Sequence, residues 1–198
     1  MTLNSVPLFP LRTVLYPDGP LPLRIFEPRY LDMVSECLQN DSAFGVVLIA
    51  EGKEAEGSVS THALGTLAKI VDWDQEPDGL LGVRALGQER FRLLSIEQQS
   101  DGLNLGRIET LPPEPAVPLP GEFAGMASLL RSVLADMVEL YGQTGERYDD
   151  ASWVGYRVSE LLPLEPEQKQ LCLEIDDSLE RLEYLRPYLR EAGQGSLD

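Results

Sequence analysis

LPLRIFEPRYLDM, residues Leu21 to Met33, contains the change of rhythm on which the fold turns. Leu21, Leu23 and Ile25 alternate with Pro22, Arg24 and Phe26, the period of two that sends one set to each face of a strand. Pro28 suits the first position of a helix, where its missing N–H goes unused. Tyr30, Leu31, Val34, Cys37 and Leu38 then recur at helical spacing until Asn40, which can end the segment. A strand thus runs almost directly into a helix, and Arg24, Glu27 and Arg29 crowd the joint around Phe26 and Pro28.

Outward from this joint, the N-terminal part reads mainly as strands. VPLFPL, AFGVVLIA, GTLAKIVDW, LLGVRALGQERFRLLSIEQQ and LGRIETL are short, rich in Val, Ile and Leu, and separated by Gly, Pro and Asp. Asp78-Gly79 marks a turn between two of them. Several short strands with one helix predict a small, partly closed barrel rather than an open α/β sheet. Leu111 to Glu122, LPPEPAVPLPGE, has five prolines, which forbid a helix interior or a central strand and favour a stiff extended connector. The expected boundary lies there, with a barrel domain over 1–117 and a helical domain over 118–198.

Beyond it the period becomes helical. Met126, Leu129, Leu130, Val133, Leu134, Met137, Leu140 and Tyr141 form one long stripe ending at Gly142. A second helix is expected from about Asp150 to Leu162, stopped by Pro163, and a third from near Pro166. A fourth follows Asp176-Asp177, where Asp177 and Glu180 have capping-box spacing. The fold class is α+β: a barrel followed by a small helical bundle.

The chain has 33 acidic and 16 basic residues, a net charge of −17. Residues 1–117 hold 9 basic against 17 acidic residues and residues 118–198 hold 7 against 16, so neither half is a basic module. That opposes nucleic-acid backbones, whose binding gains affinity from basic side chains displacing counterions, and it opposes anionic membrane surfaces. The longest apolar run, FGVVLIA, is strand-length, and the first 20 residues lack a secretory pattern, which points to the cytoplasm. Cys37 and Cys172 lie too far apart in sequence for a zinc site or a disulfide framework and read as buried, reduced thiols.

Catalytic patterns are scarce. There is no phosphate-binding loop, no G-x-G-x-x-G and no G-x-S-x-G elbow. His62 is the single histidine and reads as an ordinary loop residue. Lys53, Lys69 and Lys169 have no evident serine partner. Asp72, Asp74, Glu76 and Asp78 bunch together, but not at calcium-loop spacing, and a solvated acidic turn accounts for them. Asp149, Asp150, Asp176 and Asp177 sit where helices should begin, as helix N-termini favour. No catalytic residue, metal or cofactor is assigned.

Val6 to Val34 resembles the signature of the N-terminal substrate-recognition domain of Lon proteases, in its stand-alone bacterial form. Pro7, Leu8, Phe9, Pro10, Leu11, Val14, Leu15 and Pro17 fit it, as does every residue from Leu21 to Tyr30. Tyr16 replaces a usual phenylalanine, and Asp18 intervenes before Gly19. FGVVLIAEG, GTLAKI and GQERFRLL are similar to later strands of that domain, and WVGYRVSELLPLEPEQKQLCLE to its C-terminal bundle. The resemblance implies a PUA-like barrel followed by helices. It also implies a chain without the ATPase and Ser-Lys protease modules of full-length Lon, expected neither to hydrolyse ATP nor to cut peptides. Relatives that bind small ligands through a zinc-bearing domain use cysteine pairs, which this chain lacks.

Two readings of the joint follow. In one, Arg24, Glu27 and Pro28 form a structural motif in which guanidinium groups hold loop carbonyls and Glu27. In the other, Phe26, Arg29 and Tyr30 edge a groove for extended polypeptide, with exposed barrel edges accepting backbone hydrogen bonds. The function expected is a non-catalytic module that recognises unfolded or tagged polypeptides, working as an adaptor with a separate protease. The alternatives are an RNA-binding PUA-like module, which the charge opposes, and a small carboxylate-based hydrolase. The sequence does not indicate an oligomeric state.

Overall fold

Strand β5 (Leu81–Gln98) is long enough to pair with three neighbours, and it decides the shape of the N-terminal unit. The computed structural model describes residues 3–51, 60–142 and 144–194. The chain separates into two compact units, Met1–Pro112 and Pro113–Asp198. The first also contains β1 (Leu3–Leu11), β2 (Pro20–Ile25), α1 (Pro28–Gln39), β3 (Phe44–Glu51), β4 (Ser60–Gln75) and β6 (Asn104–Thr110). The sheet order is β2-β5-β4-β3-β1-β6, and β6 pairs in turn with β5. Residues 81–86 of β5 pair with β2, and residues 91–98 pair with β6. The strands β5-β4-β3-β1-β6 therefore close into a ring with β2 beside it, the partly closed barrel expected. The β1–β3 pairing is parallel, and the other ladders are antiparallel.

Strand alternation divides the apolar residues between two cores. Leu8, Val47, Phe91 and Ile108 fill the ring. A side-chain carbon at Gly45 would lie 2.8 Å from Leu8 Cδ2 and 2.9 Å from Phe91 Cζ, so this strand position must be glycine for the ring to pack. Neighbours one residue away, Phe9 and Val46, face the other way and meet α1 through Tyr30, Met33, Val34 and Cys37. The buried stripe of α1 takes Met33, while Leu31 and Leu38 are exposed, so the packed face is turned from the one expected. The turn between β4 and β5 closes at Gly79, whose φ of +87° favours glycine. His62 lies within β4, not in a loop: the strand begins two residues before it.

The second unit is helical: α2 (Ala124–Ala135), α3 (Val138–Tyr141), α4 (Ala151–Leu161), α5 (Pro166–Glu174) and α6 (Ser178–Gln194). The stripe expected as one helix over 126–141 is broken at Met137, which leaves helical geometry with φ −118° and ψ 30°. Asp136 N–H turns back to the Val133 carbonyl three residues earlier, a tightened last turn that ends α2. The other starts follow their caps. Asp150 accepts from the Ser152 N–H at 2.9 Å, Glu165 and Gln168 form a reciprocal capping box, and Asp177 accepts from Leu179 N–H at 2.8 Å. Helix α4 is buried from Ala151 to Ser159 and packs against α2, α5 and α6. Among the described residues no helix is long and apolar enough to cross a membrane.

The proline-rich stretch behaves differently from a free connector. The Val117 carbonyl accepts from Ala151 N–H at 2.8 Å, and Leu119 N–H donates to the Asp149 carbonyl at 2.7 Å. Residues 113–117 therefore belong with the helices, and the division falls five residues before the one expected.

Candidate functional site

At the β2–α1 joint the backbone sets the geometry. Proline has no N–H, so the ladder from β2 to β5 draws its donors from the intervening residues, and Pro20 and Pro22 blunt the strand that ends the sheet order. Phe26 follows the last strand residue and is 67% exposed. Glu27 then precedes α1 in extended conformation, and Pro28 opens the helix as expected.

Arg29 is the structural centre of the joint. Its Nη2 lies 2.7 Å from Glu27 Oε2, and its Nη1 donates to the Gly102 carbonyl at 2.9 Å. Gly102 has φ +88°, a conformation that favours glycine, and a side-chain carbon there would press on Arg29 Nη1 at 3.2 Å. Arg29 also lies over the Tyr30 ring at 4.8 Å, and Tyr30, only 5% exposed, meets the Phe9 ring at a centroid distance of 4.1 Å. Of Phe26, Arg29 and Tyr30, therefore, the first faces solvent and the other two are largely enclosed. Arg24 does not join them. It points from the exposed face of β2 and pairs with Asp78.

The remaining candidates are dispersed. Asp72 pairs loosely with Arg84 at 3.7 Å, and Asp74 lies further along β4. Lys69 pairs with Asp41, Lys169 Nζ donates to the Glu160 carbonyl at 2.9 Å, and Lys53 lies outside the described residues. Cys37 and Cys172 are buried and unbridged, and burial pushes both thiols up from their ordinary range. Among the described residues no group of three or more His, Cys, Asp or Glu side chains is placed to hold a metal ion.

Sequence reading missed Glu114. Its side chain is 5% exposed and faces Arg181, which is fully buried. Arg181 donates from Nη1 to Glu114 Oε2 at 3.0 Å and from Nη2 to Oε1 at 2.5 Å, while its Nε reaches the Cys172 carbonyl at 2.7 Å. Ser152 Oγ donates to Glu114 at 2.6 Å, and the Tyr156 hydroxyl donates to the same carboxylate. The guanidinium also lies 3.8 Å from the Tyr156 ring centroid. Burial alone would raise the Glu114 pKa, but the hydrogen bond and charge of Arg181, with the two hydroxyls, hold it below the usual carboxylate range. Ser152 and Tyr156 lie on α4 and Arg181 on α6, so this arrangement anchors the proline-rich stretch to the helical unit. It offers no open surface for a ligand.

Comparison with known proteins agrees with this architecture. Residues 5–191 match the family described as the ATP-dependent protease La (LON) substrate-binding domain. The crystal structure of a Lon N-terminal domain protein from Xanthomonas campestris is 37% identical with a TM-score of 0.77, covering 93% of this chain and 98% of that one. The Lon protease of Erwinia amylovora is 26% identical over 191 residues, which is 91% of this chain and 24% of that protein. Cereblon of Gallus gallus is 32% identical over 111 residues, 54% of this chain and 24% of that protein. The chain thus spans about a quarter of the length of these two full-length relatives. With a match running through barrel and helices alike, the chain belongs to the LON substrate-binding domain family.

Proposed function

We propose that this chain is a non-catalytic module that recognises unfolded or tagged polypeptides and presents them to a separate protease in the cytoplasm. The observation that carries the reading is the family match over residues 5–191, a substrate-binding domain by description. The β2–α1 joint supports it physically. Phe26 exposes a large apolar ring beside a strand whose prolines leave carbonyls but few N–H groups at its edge. Phe26 is the contacting residue in this reading, and Arg29 and Tyr30 position it by fixing the helix start against the β5–β6 turn.

The test is fluorescence anisotropy of a labelled, permanently unfolded polypeptide titrated with the purified chain, with the native form of the same polypeptide as control. Saturable binding to the unfolded form alone is the expected result. Absence of binding at tens of micromolar protein would defeat the general unfolded-chain reading.

A further inference from the structure

Around residues 81–85 of β5 the sheet is only three strands wide, β2-β5-β4, so it has two outer edges. Strand β3 pairs with β4 no further than Ala68, and among the described residues no other strand pairs along β4 beyond that point except β5. The ladder fixes which way each edge group points. Glu76 N–H donates to the Leu80 carbonyl at 2.9 Å, and hydrogen-bonded pairs alternate with open pairs in an antiparallel ladder. Asp74, opposite Gly82, is therefore bonded inward to β5, whereas Gln75, opposite Leu81, and Trp73, opposite Val83, turn their N–H and carbonyl groups outward. In agreement with that phase, Trp73 N–H is held at 3.0 Å by the side chain of the adjacent Asp72.

The same phase along β5 gives Leu21, Leu23 and Ile25 to the β2 ladder and turns Pro20, Pro22 and Arg24 outward. The β2 edge can thus accept hydrogen bonds but hardly donate them, and it cannot complete a ladder with a new strand. The β4 edge keeps both kinds of group, and its Trp73 N–H is occupied only by a carboxylate that an incoming carbonyl can replace. Side chains favour the same edge. Residues 71–75 are all exposed. Trp73, 58% exposed, stands on the face of Val83 and Leu23, so its ring carries the apolar core out to the margin of the sheet. A residue added opposite Trp73 gains an aromatic cross-strand neighbour. A second copy of this chain is the wrong occupant: antiparallel pairing of two β4 edges about Trp73 puts Asp72 of each opposite Asp74 of the other, like charge against like.

We infer that an extended polypeptide segment adds to the sheet as a strand along the β4 edge at residues 73–75, with an apolar residue over Trp73 and no acidic residue beside Asp72 and Asp74. The inference rests on the polypeptide-recognition reading and names how the segment is held.

The test uses labelled peptides of alternating valine and threonine, with lysine at each end, titrated with the full chain. In one version the valine amides are N-methylated, in another the threonine amides, and the side chains stay the same. A strand added along β4 presents one of these sets to the edge and turns the other away. One methylated peptide should therefore bind at least about tenfold more weakly than the parent, on the scale of two lost hydrogen bonds, and the other should match it. Gln75→Pro takes an outward N–H from β4 at a position where an edge strand tolerates proline, and it should abolish that difference. Trp73→Ala should weaken the parent peptide. Equal effects of the two methylations, or no effect of either, overturn strand addition, as does failure of the parent peptide to bind; if the permanently unfolded polypeptide still binds, recognition itself stands. A difference that survives Gln75→Pro places the added strand on another edge and also overturns the inference. So does a dimer of the wild-type chain, seen by light scattering, that Gln75→Pro separates, since the edge then belongs to a second copy. Binding of neither the parent peptide nor the unfolded polypeptide overturns both readings.

Discussion

Two short stretches, Arg24 to Tyr30 and Pro112 to Pro120, each set charged side chains among prolines, and they use them in opposite ways. In the first, charge is spread from outside to inside: Arg24 and Asp78 pair in solvent, Arg29 is largely enclosed, and Phe26 projects. In the second, a single carboxylate is driven inward until it accepts hydrogen bonds from Arg181, Ser152 and Tyr156. Prolines restrict the backbone at both places, but only the first leaves a large aromatic side chain facing outward. A crowded set of charges is therefore a poor guide to a surface; the depth at which each charge finds its partner separates fastening from exposure.

The contrast predicts a graded series of stabilities. Glu114→Ala should cost the most, about 3–5 kcal/mol in urea denaturation, because it leaves the Arg181 guanidinium buried without its carboxylate. Trp153, buried on α4, reports on the helical unit when Trp73 is replaced by Phe. A loss below about 1 kcal/mol would place the Glu114 pair among surface pairs and erase the contrast.

The same residue gives a pH dependence with a definite sign. Glu114 is held below its ordinary value of 4.5, so the folded state binds its proton less readily than the unfolded state. Its stabilisation is complete above the unfolded value and is lost as pH falls through the lower folded value. The urea midpoint of the helical unit should thus drop on acidification below 4.5, and Glu114→Gln should flatten that part of the profile. Glu160 has the opposite sign, since burial raises its carboxyl despite Arg157. It contributes stability that is lost as pH rises above 4.5 through its folded value.

At the joint the effects should be smaller. Arg29→Ala removes the contacts to Glu27 and the Gly102 carbonyl and should cost about 1–3 kcal/mol, read as a lower midpoint for the barrel unit followed through Trp73. Arg24→Ala breaks only an exposed pair and should cost no more than about 1 kcal/mol. Equal losses for the two arginines would mean that Arg24 is fastened as firmly as Arg29, against the gradient described here.

Much of this was legible in the sequence, and the exceptions have physical causes. The strand-to-helix change at Pro28 shows because alternation and helical period are local signals, and Asp150 and Asp177 mark helix starts for the same reason. The break at Met137 is hidden, since the apolar spacing continues across a backbone turn that side-chain period does not report. Glu114 is hidden more deeply. Its partner Arg181 is 67 positions away, and the prolines around it signal only an extended backbone. Within the candidate site, the clustering of Phe26, Arg29 and Tyr30 was legible but their depths were not: the Phe9 ring and the Gly102 turn that enclose Arg29 and Tyr30 come from distant strands.

The central claim is that the barrel unit meets unfolded polypeptide with its β2–α1 joint and the neighbouring face. Amide hydrogen exchange of the full chain, with and without saturating unfolded polypeptide, tests it most directly. The account predicts slowed exchange around Phe26 and along β2 and the adjoining parts of β4 and β5, with the helical unit unchanged. Unchanged exchange throughout the barrel unit, with or without protection in the helices, would contradict it.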